Sequence, residues 1–291
     1  MNTTELKTFI SVAEHASVSS AAEELHLTQP AITKRIQGLE QKLGTALFDR
    51  IGKRLHLTQA GRLLQHQATE ILARWSDTER QLHALTDEVT GTLALATSHH
   101  IGLHRLAPVL KSFTAEFPDV HLNLTFEDSE IAHEHVRQGE VELAVATLDP
   151  NGADDLTTTR IWDDPLVFVD IEPGAFDLQA LARRPCVLPG TGTYTGRIVL
   201  ERFSESGIAL KPTMSTNFLE TLSMLVSVGL GWSVLPAGMA GDLARIQVPG
   251  PELHRSLGAI VNPRRAMSNA AQAFLKTLDT YADAELPAQP T

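Results

Sequence analysis

The sequence predicts two fold types in one chain: an all-helical N-terminal part with a small β-hairpin, and a longer C-terminal α/β part. Apolar residues recur at helical spacing as far as residue 89, and strand-like segments alternate with helical ones from Gly91 onward. The length of 291 residues is enough for about two domains. We expect a head at 1–58, a linker helix at 59–89 and a C-terminal part at 90–291.

Two short helices joined by a tight turn are predicted between Ser19 and Leu43. Ser20 and Glu23 have the spacing of a capping box for the first helix. Thr28 can cap the second helix, with Pro30 in its first turn. The second helix has an inward apolar stripe at spacings of 4, 3 and 4, formed by Ile32, Ile36, Leu39 and Leu43. This pattern predicts a helix-turn-helix.

The other face of the second helix is polar and basic near its N-terminus. Recognition helices contact DNA base edges with their first turns, so this face predicts binding of double-stranded DNA in the major groove. A hairpin at Arg50–Leu57 follows as a wing whose tip can reach phosphates or the minor groove. The predicted DNA contacts are Gln29, Pro30, Ala31, Thr33, Lys34, Arg35, Lys53 and Arg54. An ordinary solvated helix and turn remain the alternative.

Charge is distributed unevenly along the chain. The whole chain carries a formal charge of −11, which by itself disfavours DNA. Residues 1–62 hold 8 Lys and Arg against 6 Asp and Glu, whereas the remainder holds 16 against 29. The basic surface is therefore local to the head, and its weakness suggests that two or more heads bind together.

The N-terminal motifs resemble those of a known family. Ser17–Arg50, with LHLTQPAITKRI at its centre, and LTQAG at Leu57–Gly61 are similar to the N-terminal region of LysR-type transcriptional regulators, densely so over residues 2–65. The resemblance implies a winged helix-turn-helix, a long linker helix and a periplasmic-binding-protein-like effector domain of two Rossmann-like subdomains. Subdomain I would comprise residues 90–160 and 265–291, and subdomain II residues 161–264.

A heptad-like seam runs from Thr58 to about Glu88, a segment without proline. Mostly apolar residues recur at alternating spacings of 4 and 3, as in a coiled-coil helix. The seam consists of Leu64, Ala68, Ile71, Trp75, Thr78, Leu82, Leu85 and Val89. So small a head cannot cover this seam, so we expect self-association into a dimer or tetramer, which is also the role of the linker helix in LysR-type regulators. Packing against the following domain is the alternative.

The C-terminal part alternates strands and helices in two blocks, which in the first block predicts a parallel sheet. The expected elements of the first block are Thr92–Ser98, Ile101–Phe117, Val120–Phe126, Ser129–Gly139 and Val141–Thr147. Those of the second are Pro165–Val169, Cys186–Leu188, Tyr194–Ser206, Asn217–Gly229, Gly231–Leu235 and Ala244–Val248, with Leu257–Val261 and Ala266–Ala282 completing the chain. The crossings between blocks are expected near Arg160–Asp163 and Val261–Arg264.

Ligands of open α/β sheets bind at the carboxyl ends of strands and at helix N-termini, where free N–H groups attract anions. The sequence has hydroxyls and two histidines at such places, and Asn217 is expected to cap a helix. These positions match those at which LysR-type effector domains bind inducers between their subdomains. We expect a small, anionic effector at Ser98, His99, His100, Thr147, Thr191, Thr193 and Asn217, with ordinary caps and turns as the alternative.

No catalytic site or cofactor is expected. The chain has no GxSxG nucleophile elbow, no P-loop and no catalytic Cys–His pair accompanied by further catalytic residues. His100 and His104 lie one helical turn apart, but neither a cysteine nor an HExxH motif accompanies them, so no metal site is expected. His133 and His135 are expected at the surface. The acid pair Asp163–Asp164 is expected in a solvated loop.

Neither a targeting segment nor a membrane span is expected. The N-terminus has an early acid, Glu5, and no long apolar core. The most apolar window, Met224–Met239, is interrupted by glycines and a proline. Cys186 is the only cysteine, which excludes an intramolecular disulfide. We therefore expect a cytoplasmic protein without a membrane partner.

These observations together predict a sequence-specific transcriptional regulator of the LysR type and not an enzyme. Its partners would be double-stranded DNA, further copies of itself, a small effector and RNA polymerase. Two other functions stay open: an enzyme or solute-binding protein that uses the head only for localisation, and an architectural DNA-binding protein without a ligand. Turnover of a bound metabolite would support the first, and DNA binding without sequence preference would support the second.

Overall fold

The computed structural model describes residues 1–51, 54–83, 85, 86 and 88–282, with the backbone alone for Arg50, Ile51, Arg54 and His83. The chain divides into two compact units, Met1–Leu82 together with Gln138–Glu140, and the remainder from His83 onward. None of the helices in the described ranges combines the length and the apolar character that a membrane-spanning helix requires.

Three helices packed around one apolar core open the first unit. They are α1 (Thr3–His15), α2 (Val18–Glu24) and α3 (Gln29–Leu43). Ala21 and Ala22 are buried, which lets α2 lie close to its neighbours, and Phe9 and Ile32 are completely buried beside them. The predicted helix-turn-helix is confirmed.

Two local expectations in the head are wrong. The N-cap of α2 is Ser17, whose side chain accepts a hydrogen bond from Ser20 N at 3.3 Å, so Ser20 lies inside the helix and forms no capping box. The helix begins early because Ala16 has a left-handed φ of 48° that ends α1 and turns the chain directly into α2. Leu43 is 42% exposed, because it is the last residue of α3 and lies beyond the core.

A hairpin and one long helix complete the first unit. β1 (Phe48–Ile51) and β2 (Arg54–Leu57) pair antiparallel, which confirms the predicted wing. The helix α4 (Gln59–His83) packs Ala68 fully into the head core, whereas Trp75 and Leu82 are 53% and 62% exposed. Only the first part of the seam is therefore covered within the chain.

The helix α4 ends at His83, earlier than predicted, so the last two seam positions lie beyond it. The Asn269 side chain donates hydrogen bonds to the backbone oxygens of Thr86 and Glu88, at 2.7 and 3.1 Å. Val89 packs against the core of the second unit. These contacts hold Thr86, Glu88 and Val89 in a non-helical conformation that helical periodicity alone does not reveal.

One mixed sheet forms the centre of the second unit. The strands of this unit are β3 (Gly91–Thr97), β4 (Val120–Phe126), β5 (Leu143–Thr147), β6 (Thr157–Asp170), β7 (Val187–Leu188), β8 (Met214–Ser215), β9 (Ser233–Pro236), β10 (Ala244–Arg245) and β11 (Leu253–Val261). The strand order in the sheet is β10-β6-β11-β5-β3-β4, with β9 also paired to β6, while β7 and β8 form a separate pair.

The helices of this unit flank the sheet and follow its strands. They are α5 (His99–Ile101), α6 (Ala107–Glu116), α7 (Ser129–Gln138), α8 (Leu178–Ala182), α9 (Tyr194–Ser204), α10 (Leu219–Ser227) and α11 (Asn269–Asp279). The single helix expected at Ile101–Phe117 is instead α5, a π-helical turn at Gly102–Leu106, and α6. A short 3-10 turn, Ala237–Met239, follows β9.

Two long antiparallel strands carry the chain between two apolar cores. β6 contributes Trp162 to the first core and Phe168 to the second, and β11 contributes Leu257 and Leu253 to the same two cores. β3 is parallel to β4 and β5, as predicted, but β5 pairs antiparallel with β11, so the sheet is mixed. The return crossing lies between Leu253 and Leu257, earlier than the expected 261–264, because one continuous strand spans both subdomains.

Candidate DNA-binding helix and ligand cleft

The N-terminal half of α3 presents a polar surface to solvent. Thr28 caps the helix by accepting a hydrogen bond from Ala31 N at 3.4 Å, and Pro30 lies in the first turn, as predicted. The predicted DNA contacts that are exposed are Gln29, Pro30, Thr33 and Lys34, while Ala31 is half-buried. Because Ile32 and Ile36 on the opposite face are buried in the head core, the direction of this surface is fixed.

Arg35 differs from the other predicted DNA contacts. It is half-buried, and its Nη1 donates a hydrogen bond to Thr8 Oγ1 at 3.2 Å. Thr8 is completely buried in α1 and donates in turn to Thr4 O at 2.8 Å. Arg35 therefore connects α3 to α1, which leaves part of its guanidinium for a phosphate.

The wing is attached to α3 by a carboxylate. Glu40 Oε1 accepts hydrogen bonds from Leu47 N at 2.7 Å and from Phe48 N at 3.3 Å, at the start of β1. This contact sets where the wing begins relative to the helix. Lys53 lies outside the described residues, and of Arg54 only the backbone, which pairs with Ile51, is described.

The two apolar cores divide the second unit into two halves, the first built around Trp162 and Leu257 and the second around Phe168 and Leu253. A cavity of about 170 Å³ lies in the cleft between these halves. Six of the seven residues predicted for the effector line it: Ser98, His99, His100, Thr147, Thr193 and Asn217. Thr191 is exposed and lies outside the lining. The six residues lie at or just after the ends of β3 and β5, or just before α9 and α10, so the carboxyl ends of strands and the starts of helices meet as the sequence predicts.

Asn217 does not cap the helix that follows, because the N-cap of α10 is Phe218, which makes no side-chain cap. Asn217 Oδ1 instead accepts a hydrogen bond from Gly190 N at 3.1 Å, and its Nδ2 donates to Asp128 Oδ2 at 2.6 Å. A Cβ atom at Gly190 would lie 2.7 Å from Asn217 Oδ1, so the close approach requires glycine there. Asn217 thus joins the two halves across the cleft.

Arg255, on β11, is the buried cation of the cavity wall and is 5% exposed. Its Nε donates to Asp164 Oδ2 at 2.7 Å, and its Nη1 donates to Thr195 Oγ1 at 3.2 Å. Its Nη2 has no hydrogen-bond partner among the described residues. A buried guanidinium nitrogen without an acceptor is a place where an anion can bind.

His100 lines the same cavity and is 6% exposed. Neither of its ring nitrogens has a hydrogen-bond partner among the described residues. Burial, reinforced by the positive charge of Arg255, lowers the pKa of His100 to about 2, so the ring is neutral at physiological pH. A neutral imidazole offers one N–H donor and one bare nitrogen.

Four carboxylates also line the cavity: Glu127, Asp128, Glu130 and Glu220. Glu130 accepts a hydrogen bond from Tyr194 N at the start of α9, so a side chain of the chain itself occupies a place where we expected a free N–H group. Burial raises the pKa of Glu130. Glu220 lies 3.2 Å from His104 Nε2, and Glu127 lies 2.9 Å from His135 Nδ1.

Several residues expected in solvent are not there. His133 is 2% exposed, and its Nε2 lies 3.1 Å from Thr147 O, while His135 is half-buried beside Glu127. Asp164 is 1% exposed within β6 and pairs with Arg255. The expectations for His133 and Asp164 are wrong, because α7 directs His133 toward the end of β5 and Asp164 lies in a strand of the sheet instead of a loop.

Two signals in the sequence could have identified the missed cavity residues. The acidic run Glu127–Glu130 directly follows β4, whose carboxyl end lies beside that of β3 in a parallel pair. Arg255 stands between Leu253 and Leu257 in a strand that is otherwise mostly buried. A basic residue in such a strand requires a partner, and the partner Asp164 is far away in sequence.

Two family models match nearly the whole chain. The model described as a bacterial regulatory helix-turn-helix protein of the lysR family matches residues 3–62. The model described as the LysR substrate binding domain matches residues 86–283.

Curated relatives carry related names. The chain is 31% identical over 293 residues to a RuBisCO operon transcriptional regulator of Acidithiobacillus ferrooxidans, covering 94% of this chain and 92% of the relative. It is 32% identical over 268 residues to the HTH-type transcriptional regulator CfxR of Cupriavidus necator, covering 86% and 82%. An uncharacterized HTH-type transcriptional regulator of Azotobacter vinelandii is 56% identical over 108 residues, which is 37% of this chain and 75% of that protein.

Solved structures share the fold over the full length. The crystal structure of CbnR, a LysR family transcriptional regulator, has a TM-score of 0.66 at 21% identity and covers 97% of this chain and 100% of that one. A full-length OxyR variant from Pseudomonas aeruginosa has a TM-score of 0.66 at 22% identity, with 99% of each chain covered. From the family models and the relatives, the chain belongs to the LysR family of DNA-binding transcriptional regulators, whose members are not enzymes.

Proposed function

We propose that this regulator is controlled by a small anion that binds in the cleft between the two halves of its C-terminal unit. The observation that carries the proposal is the unpartnered Nη2 of Arg255, a buried cation in the cavity wall. The neutral His100 ring supplies an N–H donor in the same wall, and Thr195 and Ser129 supply hydroxyls nearby. These groups suit a carboxylate or a small oxyanion.

The four carboxylates that line the cavity, here called the acidic rim, limit the size and charge of the anion: Glu127, Asp128, Glu130 and Glu220. The carboxylates of Asp128 and Glu130 are engaged by Asn217 and by the Tyr194 backbone, so they already have donors. A ligand that reaches Arg255 must nevertheless pass these groups. A compact anion with a polar body fits this arrangement better than a multiply charged one, because each added charge is repelled by the rim.

DNA reading is proposed for the exposed turn of α3. Gln29 would hydrogen-bond a base edge, Pro30 and Ala31 would contact a thymine methyl or sugar, and Lys34 would reach a base or phosphate. Thr33 and Arg35 would contact phosphates, and Lys53 and Arg54 on the wing would contact the flanking DNA. The regulator would act on transcription together with RNA polymerase.

Self-association is proposed for α4. Ile71, Trp75 and Leu82 are 40%, 53% and 62% exposed, and Thr78 continues the same seam. A second copy of the helix would cover this apolar face and would place two heads on one partly palindromic site. An anion can change DNA binding only by its differential affinity for two arrangements of the assembly.

The test of the effector is thermal unfolding of the full-length protein with a panel of small carboxylates and oxyanions. A ligand at 100 times its Kd adds about 2.7 kcal/mol to the free energy of unfolding. Arg255→Lys retains the positive charge opposite Asp164 but removes the Nη2 donor that we propose binds the anion. We therefore expect the anion-dependent rise in the unfolding temperature to disappear in this variant. Arg160→Lys is the matched control, because Arg160 is a 56% exposed arginine on the neighbouring strand.

Two results would contradict the anion proposal. One is that no anion in the panel changes the unfolding temperature of the wild type. The other is an equal shift in Arg255→Lys, which would place the bound anion elsewhere. A change of operator affinity in the presence of the active anion would then connect the cleft to DNA binding.

A further inference from the structure

Three side chains able to bind a metal meet at one edge of the cleft. A ligand atom from each of His100, His104 and Glu220 lies within 4.8 Å of the other two. His104 Nε2 and Glu220 Oε1 are 3.2 Å apart, and the rings of His100 and His104 have centroids 5.0 Å apart. The sequence predicts no metal site here, because neither a cysteine nor an HExxH motif accompanies the two histidines. Glu220 is distant in the chain, and only the fold brings it to them.

The π-helical turn at Gly102–Leu106 sets the positions of both imidazoles. His100 lies in the short α5 just before it, and His104 lies within it. Gly102 is packed against the Phe126 ring so closely that a Cβ atom would collide with it. Single π-turns occur frequently at functional sites, where they shift one side chain relative to its neighbours.

The state of His100 is the second, independent observation. Both ring nitrogens are buried without a hydrogen-bond partner among the described residues. Leaving a buried polar group unsatisfied costs free energy, so such a group in a native structure requires an explanation. An imidazole nitrogen without a hydrogen-bond partner is available to a transition metal, for which histidine is a common ligand.

We propose that His100, His104 and Glu220 bind one divalent transition-metal ion of the zinc class. With bond lengths of about 2.0–2.1 Å, the ligand atoms of a tetrahedral site lie about 3.3 Å apart. The His104–Glu220 separation of 3.2 Å already has this value. The remaining separations must shorten, and the side chains of His104 and Glu220, 22% and 41% exposed, have the freedom to do so.

The charges around the site permit a cation. Arg105 and Arg255 are the nearby cations, and the carboxylate of Asp164 lies 3.5 and 2.7 Å from them, which offsets part of their charge. Four carboxylates in the cavity wall add negative charge on the cleft side. Two imidazoles with one carboxylate favour zinc, cobalt, nickel or ferrous iron over magnesium or calcium, which prefer oxygen ligands alone.

The site would link the two halves of the cleft. His100 and His104 follow β3 in the first half, whereas Glu220 lies in the first turn of α10 in the second. A metal held by all three residues stabilises the arrangement in which the halves are close. This inference goes beyond the proposed function, because metal binding here requires neither the anion nor DNA.

The experiment is titration of Zn²⁺ into untagged, metal-free, full-length protein by calorimetry, with Co²⁺ as a spectroscopic probe. We expect one tight site per chain and a visible Co²⁺ ligand-field band of a low-coordinate nitrogen–oxygen site. His104→Gln and Glu220→Gln each remove one ligand at a partly exposed position. Each should weaken metal binding by no less than the roughly 10–100-fold that loss of an outer-shell partner costs.

His254→Gln is the matched control, because His254 is an exposed imidazole 2.9 Å from Asp163 and 3.5 Å from Glu252. It should leave the tight site and the Co²⁺ band unchanged. The inference is overturned if the wild type shows no tight site, or if His104→Gln and Glu220→Gln bind Zn²⁺ as the wild type does. The anion-dependent thermal shift, measured without metal, is a separate readout, so the two proposals can fail independently.

Discussion

Lys34 is the position at which the DNA-binding proposal can be tested most directly. It is exposed in the first half of α3, and its ammonium has no ion-pair partner among the described residues. Its whole charge is therefore available to DNA. Lys42, near the end of the same helix, is instead paired with Glu5, whose pKa it lowers through their hydrogen bond.

This difference sets the expected magnitudes. Lys34→Ala should weaken binding to the preferred operator by about 1–3 kcal/mol if Lys34 reads a base. That corresponds to roughly 5- to 150-fold in Kd at 25 °C. If Lys34 contacts a phosphate, the loss should be equal on all duplexes, and the slope of log K against log salt should fall by about 0.9. Lys42→Ala should change operator binding little.

The assay is fluorescence anisotropy with a duplex selected by the wild type from a random pool and with a scrambled duplex of the same composition. Each protein is titrated over a series of salt concentrations, because affinities at one salt concentration do not separate the two roles. Equal losses for Lys34→Ala and Lys42→Ala would refute the reasoning, as would wild-type binding by Lys34→Ala. Either result would show that this turn of α3 is not the surface that reads DNA.

Three further predictions follow from the same structure. Thr28→Ala removes the N-cap of α3 and should lower the free energy of unfolding by about 1 kcal/mol, measured by denaturant titration. Trp75→Ala combined with Leu82→Ala should weaken self-association by about 2 kcal/mol or more in sedimentation, because these two side chains are the most exposed of the large apolar seam residues on α4. Burial lowers the pKa of His133, so the folded state resists protonation there and loses stability as pH falls below the ordinary value of 6.5. His133→Gln should flatten this part of the profile of Tm against pH.

The first two of these predictions have a control variant, and all three have a contrary outcome. Thr69→Ala alters a threonine in the interior of α4 and should change the free energy of unfolding little. An equal loss of stability in both variants would show that Thr28 contributes nothing specific as the N-cap of α3. Arg74→Ala on α4 should leave assembly intact, and unchanged assembly of the Trp75 and Leu82 double variant would exclude the seam as the interface. If His133→Gln keeps the acid dependence of the wild type, other groups cause it.

The helix-turn-helix could be predicted because its determinants are local. The cap at Thr28, the proline after it and the spacing of Ile32, Ile36 and Leu39 all act within one helix, and each is found where the pattern indicates. The error at Ser20 arose at the same scale, since the left-handed Ala16 shifts the start of α2. Periodicity predicts which face of a helix is buried more reliably than where the helix begins.

The cleft was predictable only in part. Strand ends and helix starts are visible in the sequence, and six of the residues named from them line the cavity. Except for Glu220, the groups that give the cavity its charge come from segments that are distant from these in sequence. Arg255 pairs with Asp164, and Glu130 reaches the backbone of Tyr194, through contacts that no local pattern encodes.

The amino-acid sequence by itself therefore determined the family, the order of the domains, the exposed polar turn of α3 and six of the residues that line the cavity, because short-range spacing specifies helices, caps and strand ends. Tertiary structure alone decided the end of α4, the passage of β6 and β11 through both cores, and the meeting of His100 and His104 with Glu220. The physical reason is that burial, ion pairing and cation sites depend on which distant segments pack together. A residue's own neighbours in the chain do not specify that packing.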